Sequence, residues 1–274
     1  MVMKYSFMTF SCPELSLNEA IELAEKLGYD AIEPRIGSGH KHGIEIDADA
    51  ETRKEIKKKI AKSNIELACL ATSCSYADPK KCKDSIDLTL KSIKLASDIG
   101  CPNLRVFGGG IPEGISREEA INSVAEALKE AAPYAEEKGV NVCFETHDDW
   151  CDPEHVAAVL KKVNSPAIAA NWDIMHPVRT AEKSMEFAFE TLKPWIKHLH
   201  IHDGVWEGED KALSLAKIGT GMVDHQKALE LMAGTDYSGY ASGEWIGWKE
   251  FPYEEHLPHE LATLKKIEQK IANK

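Results

Sequence analysis

The sequence reads as an α/β chain folded into a single eight-fold β/α barrel, (β/α)8, over residues 1–274, with an active site at the C-terminal ends of its strands. Three observations carry this reading. Short apolar, β-branched runs alternate eight times with longer stretches of helical periodicity, the pattern of βα units around a parallel sheet. The length of 274 residues suits one barrel, which runs to roughly 250. No Pro/Ser-rich linker, low-complexity tract or obvious repeat breaks the rhythm.

In order, the strand candidates are Tyr5–Phe10, Ala31–Glu33, Ile65–Ala71, Asn103–Phe107, Val140–Glu145, Ile168–Trp172, Ile196–His200 and Gly239–Glu244. Helices fill the gaps. Ser16-Leu-Asn-Glu19 and Ser116-Arg-Glu-Glu119 have capping-box spacing, with the serine accepting from the third backbone N–H and the glutamate reaching back to the cap. Those helices end at Gly28 and Gly139, and Gly100 closes the one before the fourth strand, because glycine enters the left-handed region without a Cβ penalty. An open dinucleotide-binding sheet is the competing architecture, but it needs GxGxxG after its first strand, and Phe10-Ser-Cys-Pro13 contains no glycine. Gly108-Gly-Gly110 follows the fourth strand instead, where it is either a tight turn or a place where backbone approaches a ligand.

Composition narrows the setting. Hydrophobic residues at 43% and charged residues at 28% give ample apolar material for a large core. The opening MVMKYSFMTF lacks a secretory signal pattern, and no stretch approaches the ~18 apolar residues of a membrane span. Seven cysteines without a CxxC pair suit reduced thiols, so a cytoplasmic protein is expected. The net charge of −12 repels a phosphate backbone, and the basic run Lys54 to Lys62 lies in a helical pattern as a solvated face. Nucleic acid and membrane are therefore excluded as partners.

Polar residues accumulate where a barrel builds its active site. The fifth strand ends Phe144-Glu145-Thr146-His147 and the sixth Asn171-Trp172-Asp173, with His176 three residues on. The seventh reads His198-Leu-His200-Ile-His202-Asp203, and the eighth ends Gly243-Glu244-Trp245. Neighbouring strands lie roughly 5 Å apart, so inward side chains at four consecutive strand ends can converge on one ion. Glu145, Asp173, His200 and Glu244 make an oxygen-rich set that favours one divalent cation, Mn²⁺ first, with Mg²⁺, Co²⁺ and Zn²⁺ as alternatives. Strand parity permits His198, His200 or His202 as the imidazole, and position along the barrel axis singles out His200 as level with the other strand ends.

Gly28-Tyr-Asp-Ala-Ile-Glu33, Leu104-Arg-Val-Phe-Gly-Gly109, Phe144-Glu-Thr-His147, Asp173-Ile-Met-His176, His198-Leu-His-Ile-His-Asp203, Ile218-Gly-Thr-Gly221 and Gly243-Glu-Trp245 span nearly the whole chain. Together they resemble the sugar phosphate isomerase/epimerase family. These xylose isomerase-like TIM barrels include ketose 3-epimerases, hydroxypyruvate isomerase and inosose dehydratase, with endonuclease IV a distant relative. The resemblance implies that Glu145, Asp173, His200 and Glu244 are metal ligands and that His176 stands near the substrate. It also implies a metal-dependent isomerase or epimerase in which Glu145 and Glu244, on opposite faces of a sugar, remove and return a proton beside a carbonyl through a metal-stabilised enediolate.

Departures from the family matter. The ketose 3-epimerases carry an arginine a few residues after the seventh-strand histidine, and Asp203 to Lys217 has none. The third strand ends Ala71-Thr-Ser-Cys74 without the histidine that a three-metal nuclease needs. Trp150, Trp172, Trp206, Trp245 and Trp248 fall at or after the ends of strands five to eight, where they could stack on a sugar ring or simply pack loops. Arg35 and His40, after the second strand, complete the substrate-side candidates, and Arg35, Arg105, Arg179 and Lys217 are the cations that could reach a phosphate. His147 is a candidate second base or a residue that orients the site.

A lyase of the same superfamily is the alternative, by β-elimination from a 3-keto-glycoside (C-glycosides included) or by inosose-type dehydration. A non-catalytic sugar-binding barrel ranks third. The expected partners are a small sugar or glycoside and either a further copy of the chain or a smaller subunit.

Overall fold

The structure, a computed structural model, describes residues 3–207, 212–246 and 251–273. Strand β1 (Lys4–Met8) opens the chain, followed by α1 (Leu17–Leu27), β2 (Ala31–Glu33), α2 (Ala50–Lys62), β3 (Glu66–Leu67), β4 (Leu70–Ser75) and α3 (Pro79–Ile99). The middle alternates β5 (Asn103–Phe107), α4 (Arg117–Lys138), β6 (Asn141–Glu145), α5 (Pro153–Val163) and β7 (Ile168–Asp173). After the short α6 (His176–Arg179) come α7 (Met185–Leu192), β8 (Ile196–Ile201), the antiparallel pair β9 (Gly204–Glu207) and β10 (Ala212–Leu215), α8 (His225–Ala233), β11 (Tyr240–Gly243) and α9 (Tyr253–Ala272).

Nine parallel strands form one sheet in the order β3-β2-β1-β11-β8-β7-β6-β5-β4. Its two ends are consecutive pieces of the third barrel strand. Pro34 has no N–H to give and ends β2, but the ladder resumes beyond it: Ala71 N–H donates to Pro34 O and Ile36 N–H to Ala71 O, each at 3.0 Å. This bridge joins β2 to β4 and closes the ring, giving the eight-fold α/β barrel expected.

Local chemistry sets the elements. Both predicted capping boxes form, with Ser16 N–H and Ser116 N–H each donating to the glutamate three residues on at 2.8 Å. Gly28 and Gly139 end those helices at φ 85° and 66°. Between strands and helices the apolar faces of both, among them Phe7, Ile32, Leu104, Val142 and Leu199, are buried, each such side chain contributing about 1.5–3 kcal/mol. The lysines of the basic run face solvent on α2.

The first and third strands differ most from the sequence reading. The first strand stops at Met8, because Thr9–Ser11 form a 3₁₀ turn that aims the Thr9 hydroxyl at the Arg35 N–H, 2.9 Å away. The third extends to Ser75 rather than ending at Ala71, with a break between Leu67 and Leu70. The Gly108–Gly110 turn is a packing device: a Cβ at Gly108 would run into the Trp150 indole, whose N–H donates to Gly109 O at 2.9 Å. Asp203 explains the Ile218-Gly-Thr-Gly221 motif. Its carboxylate accepts from the N–H groups of Gly204, Gly219, Gly221 and Val223, tying the β9–β10 hairpin to the mouth of the barrel.

Candidate metal centre

Inward-facing residues of β6, β7 and β8 and the residue after β11 meet at the C-terminal end of the barrel. One donor atom each from Glu145, Asp173, His200 and Glu244 lies within 4.8 Å of all the others, and all four residues are buried. The register produces this: Asp173 is the Cα partner of His200, which is in turn the partner of Ser242, two residues before Glu244 on the same face.

The donor set fits a divalent cation. Glu145 Oε2, Asp173 Oδ2 and both Glu244 oxygens are buried without a hydrogen bond, a costly state unless a cation gathers them. Asp173 Oδ1, by contrast, is committed to the N–H groups of Met175 and His176, which fixes the rotamer and leaves Oδ2 as the donor. His200 presents Nδ1 to the cluster, 2.5 Å from Glu145 Oε1 and 3.3 Å from Glu244 Oε2.

Its other nitrogen is spoken for. Glu33, buried at the end of β2, lies 3.0 Å from His200 Nε2 and 2.7 Å from His198 Nε2. An Nε2–H donated to Glu33 makes Nδ1 the lone-pair nitrogen, which is the tautomer a metal ligand requires. Arg105 is the one guanidinium in contact with the cluster among the described residues, 3.3 Å from Glu145 Oε2 and 3.8 Å from Glu244 Oε1. It is held by Thr72 O at 2.6 Å and by the Phe107 ring, 3.9 Å from its centroid. Glu33, Glu145, Asp173 and Glu244 therefore bring four carboxylates against one guanidinium, a negative excess that a dication would offset in large part.

The titration behaviour follows the same charges. Burial alone would lower His200, but Glu33, Glu145 and Glu244 outweigh it and hold the imidazole well above its ordinary value. Burial would raise Glu244, yet His200 and Arg105 bring it down to about 2. His176 is lowered to about 4, chiefly by burial. At the rim, burial lowers His147, but Asp148 at 2.8 Å together with Glu145 and Glu244 outweighs it and brings the pKa up to about 9.

A wall of imidazoles flanks the cluster. The His147 and His176 rings are 4.5 Å apart and those of His176 and His202 5.3 Å, while His202 Nε2 lies 2.8 Å from Asp173 Oδ2. His176 and His147 are thus both beside the four predicted ligands.

Other candidates are placed differently. Trp172 faces away from the barrel interior, fully buried 5.9 Å from Phe189, and Trp245 is 1% exposed against Glu260 and His256. Neither ring offers a face to a sugar; alternation along the strand points Trp172 outward, since its neighbours Asn171 and Asp173 point in. Trp150 is likewise buried, and Trp248 lies outside the described residues. Trp206 is 40% exposed on β9, with the Arg179 guanidinium 5.2 Å from its ring centroid. Arg35 is buried and spends its guanidinium on Ile36 O, Ala71 O and Ser73 Oγ, so it braces the third strand rather than reaching for a substrate. His40 is partly exposed, 3.0 Å from Thr9 Oγ1.

Sequence reasoning missed Glu33 as the residue behind His200, and it held Arg105 only as a cation for phosphate. Glu33 ends its strand on the inward face, a signal visible in the motif that contains it.

Comparisons with known proteins agree with this architecture. The chain is 23% identical to fructoselysine 3-epimerase of Shigella flexneri over 89% of its own length and 90% of the relative's. It is 22% identical to inosose dehydratase 1 of Bacillus cereus (strain ZK / E33L), over 68% and 70% respectively. Among solved structures it is similar in fold to the 3-keto-D-glucoside 4-epimerase of E. coli, with a TM-score of 0.78 and 14% identity over 97% of this chain and 100% of that one. The IolI protein solved with a zinc atom gives a TM-score of 0.77 at 20% identity, over 98% of each chain. The pattern of the xylose isomerase-like TIM barrels matches residues 21–267, and the chain belongs to that family.

Proposed function

We propose that this chain, as one barrel domain, is a divalent-metal-dependent isomerase or epimerase of a sugar, starting by proton abstraction next to a carbonyl. The observation that carries the reading is the convergence of Glu145, Asp173, His200 and Glu244, with buried carboxylate oxygens that make no hydrogen bond. When bound there, a dication supplies Lewis acidity to the substrate's carbonyl and neighbouring hydroxyl oxygens. An oxygen-rich set with one imidazole suits Mn²⁺, and the zinc of the similar IolI structure makes Zn²⁺ the first cation to compare with it.

The chain's own residues divide the remaining work. Glu145 takes the proton at the carbon beside the carbonyl and loses it to solvent after turnover, Glu244 takes a proton from water and returns it from the opposite face, and Arg105 lies against both carboxylates. His176 and His202 border the substrate space on the Asp173 side. Free thiols throughout the described chain fit a reducing, cytoplasmic setting.

His147 supports a lyase as the second reading. It carries a proton at neutral pH, stands at the rim beside His176 and is oriented by Asp148, as an acid over a leaving group should be. Fructoselysine 3-epimerase and inosose dehydratase among the relatives support the two outcomes about equally.

NMR in D₂O with ketoses, inososes and keto-glycosides tests both at once. Deuterium should enter beside the carbonyl, stop after exhaustive chelation and resume with Mn²⁺, while release of an aglycone or of water would identify the lyase. Exchange that survives chelation would sink the metal requirement, and no exchange with any substrate class would sink the enolisation.

A further inference from the structure

On the opposite side of the last barrel strand from the metal centre, a carboxyl is buried among uncharged partners. Glu260 of α9 is 1% exposed. Its Oε2 accepts from the Trp245 indole N–H, and its Oε1 lies 2.6 Å from Tyr29 Oη. The Tyr29 hydroxyl also lies 3.0 Å from Leu257 O. The strand makes room for this carboxyl: a Cβ at Gly243 would run into both Glu260 oxygens. Glu244 thus lies between a glycine that leaves room for Glu260 and a tryptophan that Glu260 holds.

Counting protons fixes the state of the group. The indole can only donate, the Leu257 carbonyl can only accept, and tyrosine has a single hydroxyl proton. With Glu260 ionised, that proton serves either Glu260 or Leu257 and leaves the other contact unbonded. With Glu260 protonated, its O–H donates to Tyr29 Oη, Tyr29 donates to Leu257 O, and every contact is a hydrogen bond.

We propose that Glu260, held as a neutral carboxylic acid, is a positioning residue that fixes the Gly243-Glu244-Trp245 segment and thereby aims the Glu244 carboxylate. This rests on the reading of Glu244 as an acid–base partner. Burial supports the neutral state by raising Glu260 to about 7, against the hydrogen bonds from Tyr29 and Trp245 and the charge of His202. The titratable groups around it are Tyr29 from the α1–β2 connection, His202 beyond β8, Glu244 beside the Trp245 that it holds, and His256 one turn earlier on α9, whose ring is 5.5 Å from Trp245.

The test compares Glu260→Gln with Glu260→Ala in the full-length, cation-loaded enzyme. Glutamine keeps the neutral pattern, its carbonyl accepting from Trp245 and its amide donating to Tyr29. It should stay within about threefold of wild-type kcat, while alanine should lower kcat by about tenfold or more with KM and cation content little changed. Wild-type kcat should also fall as pH rises past neutrality in a limb that Glu260→Gln lacks.

Infrared difference spectra of wild type against Glu260→Gln should show a protonated carboxylic C=O band at pH 6, a readout that needs no turnover. Should Glu260→Ala not fold, Tyr29→Phe cuts the same chain from its other end and should lower kcat in the same way. An absent band, a glutamine variant as impaired as alanine, or truncation at wild-type kcat overturns the proposal. Wild type without exchange on any substrate overturns the function inferred above and this role with it, whereas active wild type matched by both variants overturns this role alone.

Discussion

Replacing Glu33 by Gln would leave every proposed ligand in place and remove one charge from behind them. The carboxylate is fully buried, with Oε1 3.0 Å from His200 Nε2 and Oε2 2.7 Å from His198 Nε2. Glutamine can keep its oxygen on the His200 N–H and turn its amide to His198, whose Nδ1 has no hydrogen-bond partner and can take the proton in the other tautomer. Packing and hydrogen bonds therefore survive, and the fold should lose little. What disappears is the negative charge that makes His200 Nδ1 a stronger donor.

Partners of this kind are worth about 10–100-fold in metal affinity, or roughly 1.4–2.7 kcal/mol. Glu33→Ala removes the acceptor as well and leaves buried imidazole N–H groups unpaired, adding about 1–3 kcal/mol of destabilisation for each. Calorimetric titration of the chelated protein with Mn²⁺ and Zn²⁺ at fixed pH, with thermal melts alongside, measures both effects. Glu33→Gln binding within about twofold of wild type, at unchanged Tm, would refute the argument that Glu33 tunes the ligand.

Two further outcomes are expected. Glu145→Gln should lower deuterium exchange beside the carbonyl by about 10²–10⁴-fold. The bound cation is to be counted in the same sample, because an unchanged rate at full occupancy would remove Glu145 as the base. Burial lowers His42 and His256 to about 4, while the unfolded chain takes up these protons from about pH 6.5. Stability should thus be full above pH 6.5 and fall by a few kcal/mol as pH drops toward 4; calorimetry showing a flat Tm across that window would contradict the buried neutral assignment.

The barrel was legible because its signals are local and repeated. Ser16 and Ser116 start helices and Gly28 and Gly139 stop them wherever the chain sits in three dimensions. The departures arise where a distant residue intervenes. Thr9 leaves the first strand because Arg35 needs its hydroxyl, and the third strand breaks where β2 and β4 share it. The tryptophans show the same limit: Trp172 and Trp206 fall at or after expected strand ends in sequence, yet parity buries the first and the hairpin exposes the second. Arg35 was misread for a related reason, since nothing in its neighbourhood along the chain announces that Ala71 and Ser73 will claim it.

Strand β8 shows how far parity can carry a site and what must be added to it. His198, His200 and His202 all point inward, and each is met by carboxylates from other strands. His198 meets Glu33 from below, and His202 meets Asp173 from above. Only His200 is bracketed, with Glu33 on one nitrogen and Glu145 and Glu244 on the other. A metal ligand needs this division: one nitrogen fixed as a donor and the other free to face an anionic cluster. His198 is turned toward the same Glu33 through Nε2, and its Nδ1 is buried without a hydrogen bond. The choice among three equivalent sequence positions is thus made by where Glu33 lies, four strands away around the sheet from β7 and three from β8, if each step of the order is counted. The proposed ligand set, assembled in this way, would tie the affinity of the centre to the closure of the barrel, so a substitution that loosens the β2–β4 seam at Arg35 should weaken cation binding before it unfolds the chain.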